Sequence, residues 1–137
     1  MGGDTGGFQM ALFDGKTALV TGGASGIGRS AGLLYAQNGA RVVISDVDEE
    51  RGEETAQEIR AAGSEAIFVR ADVSRPEDCQ SLVAASLGQF GHLDIAFNNA
   101  GISGESNPVA DYSVEAWQHV IAINLSGVFY CMKYQIP

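Results

Sequence analysis

The residues whose types and spacing point most directly to chemistry are glycines. Thr21-Gly22-Gly23-Ala24-Ser25-Gly26-Ile27-Gly28 follows Thr17-Ala18-Leu19-Val20, a short apolar run with the look of a buried strand. After it, Ile27, Ala31, Leu34 and Tyr35 recur at helical spacing until Asn38-Gly39 stops the pattern. The glycines therefore stand where a strand turns directly into a helix. A helix N-terminus carries unpaired N–H groups and a partial positive charge, so this junction suits an anion such as a pyrophosphate. Gly22 would allow the tight turn, Gly26 the close approach of backbone to ligand, and Gly28 the packing of helix on sheet.

Three readings compete for the stretch. Glycines at a strand–helix junction are often only a turn. A phosphate loop of the nucleotide-hydrolase kind is the second reading, since Gly23 to Gly28 runs into Arg29-Ser30. That pattern needs Lys where Arg29 stands, and no later strand ends in an obvious Mg²⁺ carboxylate. The third is a dinucleotide site, in which an acid at the end of the next strand holds a ribose. Asp46 closes the run Arg41-Val42-Val43-Ile44-Ser45 at close to the required distance. Its carboxylate would accept from both ribose hydroxyls and repel a 2′-phosphate, and the next residue, Val47, offers that phosphate no cation. The plain alternative is that Asp46 caps the following helix, a task open to Asp48 as well.

The elements that would position these groups alternate strictly. Residues 41–45 read as a second strand with a continuous apolar centre, as in a parallel sheet covered on both faces. A helix over residues 48–62 closes at Gly63, and Ala66-Ile67-Phe68-Val69 is a third strand leading to Asp72-Val73. Ser74-Arg75-Pro76-Glu77 reads as a helix start, with Ser74 and Glu77 forming a capping box and Pro76 in the first turn. Cys79, Leu82, Val83 and Phe90 form its apolar stripe, and Gly91 ends it. Residues 93–97 form a fourth strand running into Asn98-Asn99-Ala100-Gly101. After a loop, Ser113 caps a last helix with the stripe Trp117, Val120, Ile121, Asn124, Leu125, Val128 and Met132. No two strands are close enough for a hairpin, so the pattern predicts an α/β fold: a Rossmann-type doubly wound parallel sheet of order 3-2-1-4 with flanking helices. The glycine turn, Asp46, Asp72 and residues 98–101 then all fall at strand C-termini, beside the switch point.

Composition limits the partners. A chain of 137 residues, 45% of them hydrophobic, is one domain's worth. The net charge of −9 leaves no basic face for nucleic acid. Cys79 and Cys131 each fall in an apolar helical stripe and read as buried thiols rather than a disulfide or metal pair. His92 and His119 lack partners at metal spacing, so no metal is expected. No apolar run would span a bilayer and no signal peptide precedes the domain, so a cytoplasmic protein without membrane contact is expected. Met1-Gly2 hints at myristoylation, but Gly6 stands where Ser or Thr is needed. Residues 1–13 are Gly-rich and read as a flexible leader, with Leu12 and Phe13 pinned to the domain edge; residues 14–137 form the domain.

Taken together, Thr21-Gly22-x-x-x-Gly26-Ile27-Gly28, Asp72-Val73, Asn98-Asn99-Ala100-Gly101 and Asn124 resemble the short-chain dehydrogenase/reductase family, from about Asp14 onward. The resemblance implies an NAD-dependent oxidoreductase that moves a hydride between nicotinamide and a secondary alcohol or ketone, acting as a homo-oligomer. It implies that Gly22, Ser25, Gly26, Ile27 and Gly28 hold the phosphates and the adenosine side. Asp46 selects NAD over NADP, and Asp72 and Val73 flank the adenine. Asn99, Ala100 and Gly101 line the nicotinamide-side ribose, while Asn98 supports the sheet. Asn124 would be the Asn of the catalytic set, buried and holding a water in a proton relay. An Asn in an apolar stripe is otherwise a satisfied core residue.

One departure is decisive for activity. The family's catalysis needs a Ser and a Tyr-x-x-x-Lys pair, whose spacing places the ammonium beside the phenol. Tyr130-Cys131-Met132-Lys133 is one residue too short, and Tyr134 stands four residues after Tyr130. The chain is therefore expected to be the N-terminal part of one such domain, cut before the catalytic Ser, Tyr and Lys and inactive alone. The alternative is a self-contained, non-catalytic dinucleotide-binding module.

Overall fold

The computed structural model describes residues 11–137. Four parallel strands, β1 (Thr17–Thr21), β2 (Arg41–Asp46), β3 (Ala66–Arg70) and β4 (Ile95–Asn98), form one sheet in the order β3-β2-β1-β4. Between them run α1 (Gly26–Gln37), α2 (Glu49–Ala61) and α3 (Pro76–Phe90). After β4 come a short 3₁₀ turn at Val109–Asp111, α4 (Val114–Ile121), a π-helical turn over Ala122–Ser126, and α5 (Gly127–Gln135). The predicted doubly wound sheet and strand order are those observed. The fourth strand starts two residues later than the sequence pattern suggested and includes Asn98.

The alternation of strand side chains divides the core. Ala18, Val20, Val42 and Ile44 face α1 and α2, where they meet Ala36, Ala56 and Ile59. Leu19 and Val43 face the other side and pack with Ala71, just after β3, and with Leu82 and Phe90 on α3. β1 is buried along its length and β2 at its four central residues, which is why they read as continuous apolar runs rather than alternating ones. Full burial of side chains such as Leu19 or Ile44 contributes about 1.5–3 kcal/mol each.

Several local expectations need correction. The buried face of α1 is Gly28, Gly32 and Ala36, one position off the predicted stripe, and Ile27 and Leu34 are exposed. The helix lies so close to the sheet that a Cβ on Gly32 would stand 2.6 Å from Ile44 Cδ1, so the contact line takes the smallest residues. The capping box of α3 is not formed. Arg75 occupies the cap position without a side-chain bond, and Ser74 turns back to Asp72 instead; Pro76 does open the helix. Gly39, Gly63 and Gly91 close their helices with positive φ, as expected. Asp48 caps α2 by accepting from Arg51 N, and Ser113 caps α4 by accepting from Ala116 N. Phe13 is pinned, its N–H donating to Asn38 O at 2.8 Å and its ring edge against Tyr35, but Leu12 is exposed. Residues 1–10 of the predicted leader lie outside the described residues.

The stripe of the last helix is the largest misassignment. Its buried residues are Gly127 and Cys131, packed toward Val73 and Cys79, while Trp117, Leu125 and Phe129 are exposed. A Cβ on Gly127 would lie 2.8 Å from Val73 Cγ2, so this helix too meets its neighbour through a glycine.

Two helix glycines make opposite predictions. A Cβ at Gly52 in α2 would fall 2.1 Å from the Phe68 ring, whereas Gly88 in α3 faces open space. Gly52→Ala is expected to destabilise by about 1–3 kcal/mol through overpacking. Gly88→Ala is expected to stabilise by about 0.5–1 kcal/mol through helix propensity alone. Urea denaturation of the two variants beside the parent chain checks both signs.

Candidate functional site

The C-terminal ends of all four strands open onto one cleft of about 120 Å³, lined among others by Gly22, Asp46, Asp72, Val73, Ala100 and Gly101. The sequence expectation that these groups converge is met for all six. Ser25, Gly26, Ile27 and Gly28 form the adjoining start of α1, and Asn99 and Asn124 support the cleft from behind its other wall.

The glycine turn is fixed by contacts that forbid side chains. Gly22 has φ +67°, and a Cβ there would meet Asn99 Nδ2 at 2.9 Å and Ala100 Cα at 3.0 Å. A Cβ on Gly28 would stand 2.1 Å from Gly22 O. Gly26 differs: its φ is +55°, but nothing of the protein lies within 4 Å of its would-be Cβ. Its constraint is the turn itself and whatever approaches from outside. Ser25 accepts no capping bond on its side chain, and no acid stands in the first turn of α1. The first N–H groups of the helix are thus left without a side-chain partner, and the helix dipole adds positive potential at this end. Arg29, the residue that spoke for a phosphate loop, pairs instead with Glu58 on α2.

Asp46 serves the turn directly. Its Oδ2 accepts from Ala24 N at 3.1 Å and its Oδ1 from Asp48 N at 3.1 Å. The carboxylate thereby ties the glycine turn to the start of α2 while lining the cleft. Each oxygen retains acceptor capacity, since a carboxylate offers about four lone-pair sites.

Asp72 is held by a second such network. Its Oδ1 accepts from Ser74 Oγ at 2.6 Å and from Ser74 N at 3.0 Å, while its own N–H donates to Asp78 Oδ2 at 2.9 Å. The Ser74 hydroxyl bond is the main reason its carboxyl sits below the ordinary carboxylate range, with burial opposing. The other carboxylate oxygen makes no bond within the chain among the described residues, so it is free to accept from a ligand donor.

Asn99 and Thr21 lock β4 to the glycine turn. Asn99 Nδ2 donates to Thr21 O at 3.2 Å and Gly22 O at 3.3 Å, and Ala100 N donates to Thr21 Oγ1 at 3.1 Å. Asn98 pairs in both directions with the Gln135 amide, tying β4 to the end of α5. Asn124 differs from expectation. It is exposed rather than buried, and both ends of its amide are occupied: Oδ1 accepts from Ile102 N at 2.9 Å and Nδ2 donates to Ile102 O at 2.8 Å. It sits inside the π-helical turn and clamps the loop after Gly101 to the last helix, the kind of irregularity that concentrates at functional sites.

Sequence reasoning passed over Ser45, and it did not foresee the contacts of Thr21 with Ala100 N or of Ser74 with Asp72. Thr21 belongs to the glycine motif, but its role as acceptor for Ala100 N depends on the strand pairing. Ser45 lines the cleft floor with a buried hydroxyl that has no partner in the structure. Nothing in a strand pattern distinguishes it from any small residue.

A cleft at the switch point of a parallel sheet, a glycine turn and two acids define an α/β protein of the dinucleotide-binding type. The short chain dehydrogenase family model matches residues 16–137, and the chain belongs to that family. It is 46% identical over 125 residues to the cyclohexanol dehydrogenase of Acinetobacter sp., covering 91% of this chain and 50% of that protein. It is 44% identical over 127 residues to a 2,5-dichloro-2,5-cyclohexadiene-1,4-diol dehydrogenase of Sphingobium indicum, covering 93% and 50%. The crystal structure of a short chain dehydrogenase/reductase from Burkholderia phymatum in complex with NAD superposes with a TM-score of 0.88 at 39% identity, over 91% of this chain and 44% of that one. The chain spans about half the length of the curated relatives it matches. Among the described residues no helix is long and apolar enough to cross a membrane.

The Ser74 bond makes a pH prediction. A lowered carboxyl pKa stabilises the fold above the ordinary carboxylate range, and that contribution is lost as pH falls through the lowered value. Ser74→Ala is expected to move the Asp72 titration midpoint upward, toward the ordinary carboxylate range. Carboxyl-carbon NMR titration of Asp72 in both proteins reads the shift directly.

Proposed function

We propose that residues 14–137 are the cofactor-binding part of an NAD-dependent oxidoreductase that interconverts a secondary alcohol and a ketone. The observation that carries this reading is the turn in which Gly22 and Gly28 exclude any Cβ while Asp46 closes the adjoining side of the cleft. The donor set suits a dinucleotide: N–H groups at the start of α1 for the pyrophosphate, and carboxylate oxygens for hydroxyl and amine donors. The NAD complex of the Burkholderia relative supports the choice of cofactor, and the relatives named for cyclic alcohols and diols support the substrate class.

In this reading Gly22, Ser25, Gly26, Ile27 and Gly28 hold the phosphates and the adenosine side. Asp46 accepts from the adenosine ribose, and its charge rejects a 2′-phosphate. Asp72 receives the exocyclic amine of adenine on its free oxygen, and Val73 packs against the ring. Asn99, Ala100 and Gly101 border the second ribose. The nicotinamide, when bound, accepts or delivers the hydride. Asn124 positions the loop beyond Gly101 through Ile102, and its amide keeps one acceptor site and one N–H with which it can hold a water. No Tyr-x-x-x-Lys pair occurs in the sequence, so the acid–base chemistry on the substrate oxygen belongs to residues beyond these. The whole protein is read as a cytoplasmic homo-oligomer acting on small molecules.

Calorimetry with NAD and NADP tests the cofactor assignment. NAD is expected to bind more tightly. Asp46→Asn, which keeps an acceptor for Ala24 N while removing the charge, is expected to narrow the preference by about tenfold, or about 1.4 kcal/mol. Equal or tighter NADP binding by the parent chain would overturn the assignment.

The chain assayed alone is expected to reduce no NAD across a panel of cyclic and acyclic secondary alcohols. Turnover that survives purification and falls in Asn124→Ala would show that the catalytic set lies within these residues.

A further inference from the structure

We infer that Cys79 and Cys131 form a dithiol–disulfide couple whose state moves the Val73 wall of the cleft. Both are free, and both are buried where α3 meets α5. Their sulfurs are 3.6 Å apart, although the residues are separated by 52 positions in the chain. They continue a chain of contacts that ends at the cleft: Cys131 Sγ donates to Cys79 Sγ, and Cys79 Sγ donates to Val73 O at 3.4 Å. Val73 lines the cleft beside Asp72, and it is also the residue against which Gly127 of α5 is pressed.

A disulfide would change both ends of this chain. The sulfurs would close from 3.6 Å to about 2.05 Å. Cys79 would lose the hydrogen it gives to Val73 O. The helices have little slack to absorb the movement, because Gly127 already meets Val73 closely and overpacked interiors shift rather than compress. The displaced residue is Val73, and with it the cleft wall.

The chemistry requires an oxidant of the hydroperoxide class. The bond to Cys131 and burial push the Cys79 thiol up; the Cys131 thiol is held down because, once Cys131 is ionised, the Cys79 S–H can turn from Val73 O to its thiolate. Cys131 is therefore the attacking sulfur. Its thiolate attacks one peroxide oxygen, the O–O bond breaks, and the leaving oxygen takes a proton to give alcohol or water. Cys131 is then a sulfenic acid. Cys79 gives up its proton and attacks the Cys131 sulfur; the S–O bond breaks and water leaves. Two thiols have lost two electrons and two protons, and the peroxide has been reduced. Burial makes the step slow and dependent on local opening between α3 and α5.

The test uses the full chain, hydrogen peroxide and a maleimide quench under denaturing conditions. Glu-specific cleavage separates the cysteines at Glu105 and Glu115, so a linked peptide pair identifies the bond. The expected result is an intramolecular Cys79–Cys131 disulfide that dithiothreitol reverses and Cys131→Ser abolishes. The binding arm rests on the proposed function: NAD affinity by calorimetry is expected to fall about fivefold or more on oxidation. Oxidation that runs to sulfinic acid without a disulfide overturns the inference. So does a disulfide that leaves NAD affinity unchanged. If the reduced chain itself binds no NAD, the proposed function fails separately. The couple is then judged on the Asp72 and Val73 amide resonances, which move on oxidation if it sets the wall and stay fixed if it does not.

Discussion

The approach of α1 to the end of β1 governs the rest of the structure. Gly28 sits so near the Gly22 carbonyl that a single methyl group on it would overlap the backbone. That contact sets the depth of the helix on the sheet, and Gly32 and Ala36 continue it along the same face. It also places the start of the helix beside the end of β1. A bulkier contact line would lift α1 away from the sheet, and the positive end of the helix would no longer stand there. The glycines thus act through distance: they bring a fixed partial charge to a place that flexible side chains would otherwise have to reach.

Acids then complete what the glycines begin. Asp46 binds the turn through Ala24 N and the next helix through Asp48 N, so the residue read as a ligand contact is also a structural tie. The two roles reinforce each other. A carboxylate whose orientation is fixed by two backbone N–H groups presents its remaining lone pairs in one direction, which favours recognition of donors with defined geometry. Asp72 is oriented in a related way, by the backbone N–H and hydroxyl of Ser74 on a single oxygen, while its own N–H is held by Asp78. The protein carries a strong negative charge overall, yet at this site the acids are arranged around a locally positive helix end. Net charge therefore describes what the surface repels and says little about what the cleft accepts.

The sheet order and the convergence of strand ends were legible in the sequence because they depend on period and punctuation, which survive without knowledge of neighbours. Glycine after each of the first three helices, a continuous apolar run in each central strand and strict alternation of elements leave few topologies. Side-chain partners were less legible. Ser74 and Glu77 have the spacing of a capping box, but Asp72 lies two residues upstream and takes the Ser74 hydroxyl first. The competition between two nearby acceptors is decided by backbone path, which the pattern does not contain. The face of α1 was misread for a related reason. Counting apolar residues finds Ile27, Ala31, Leu34 and Tyr35, but a helix pressed against a sheet needs absence of volume, and glycine carries no hydrophobic signal.

The last helix shows the same limit more sharply. From Trp117 to Met132 it is apolar on more than one side, so the helical period does not select a face. One side meets α3 through Gly127 and Cys131, where small residues again mark the true contact. Another carries Trp117, Leu125 and Phe129, exposed among the described residues. Asn124 falls between these faces, and its value comes from the π-helical turn around it. The extra residue in that turn displaces the helix register and brings the amide against the backbone of Ile102. A polar residue in an apolar stripe signals that something must satisfy it, and here that partner is a loop backbone rather than a buried core group. The requirement for a partner could be read from the residue type, while its identity depended on where the helix was broken.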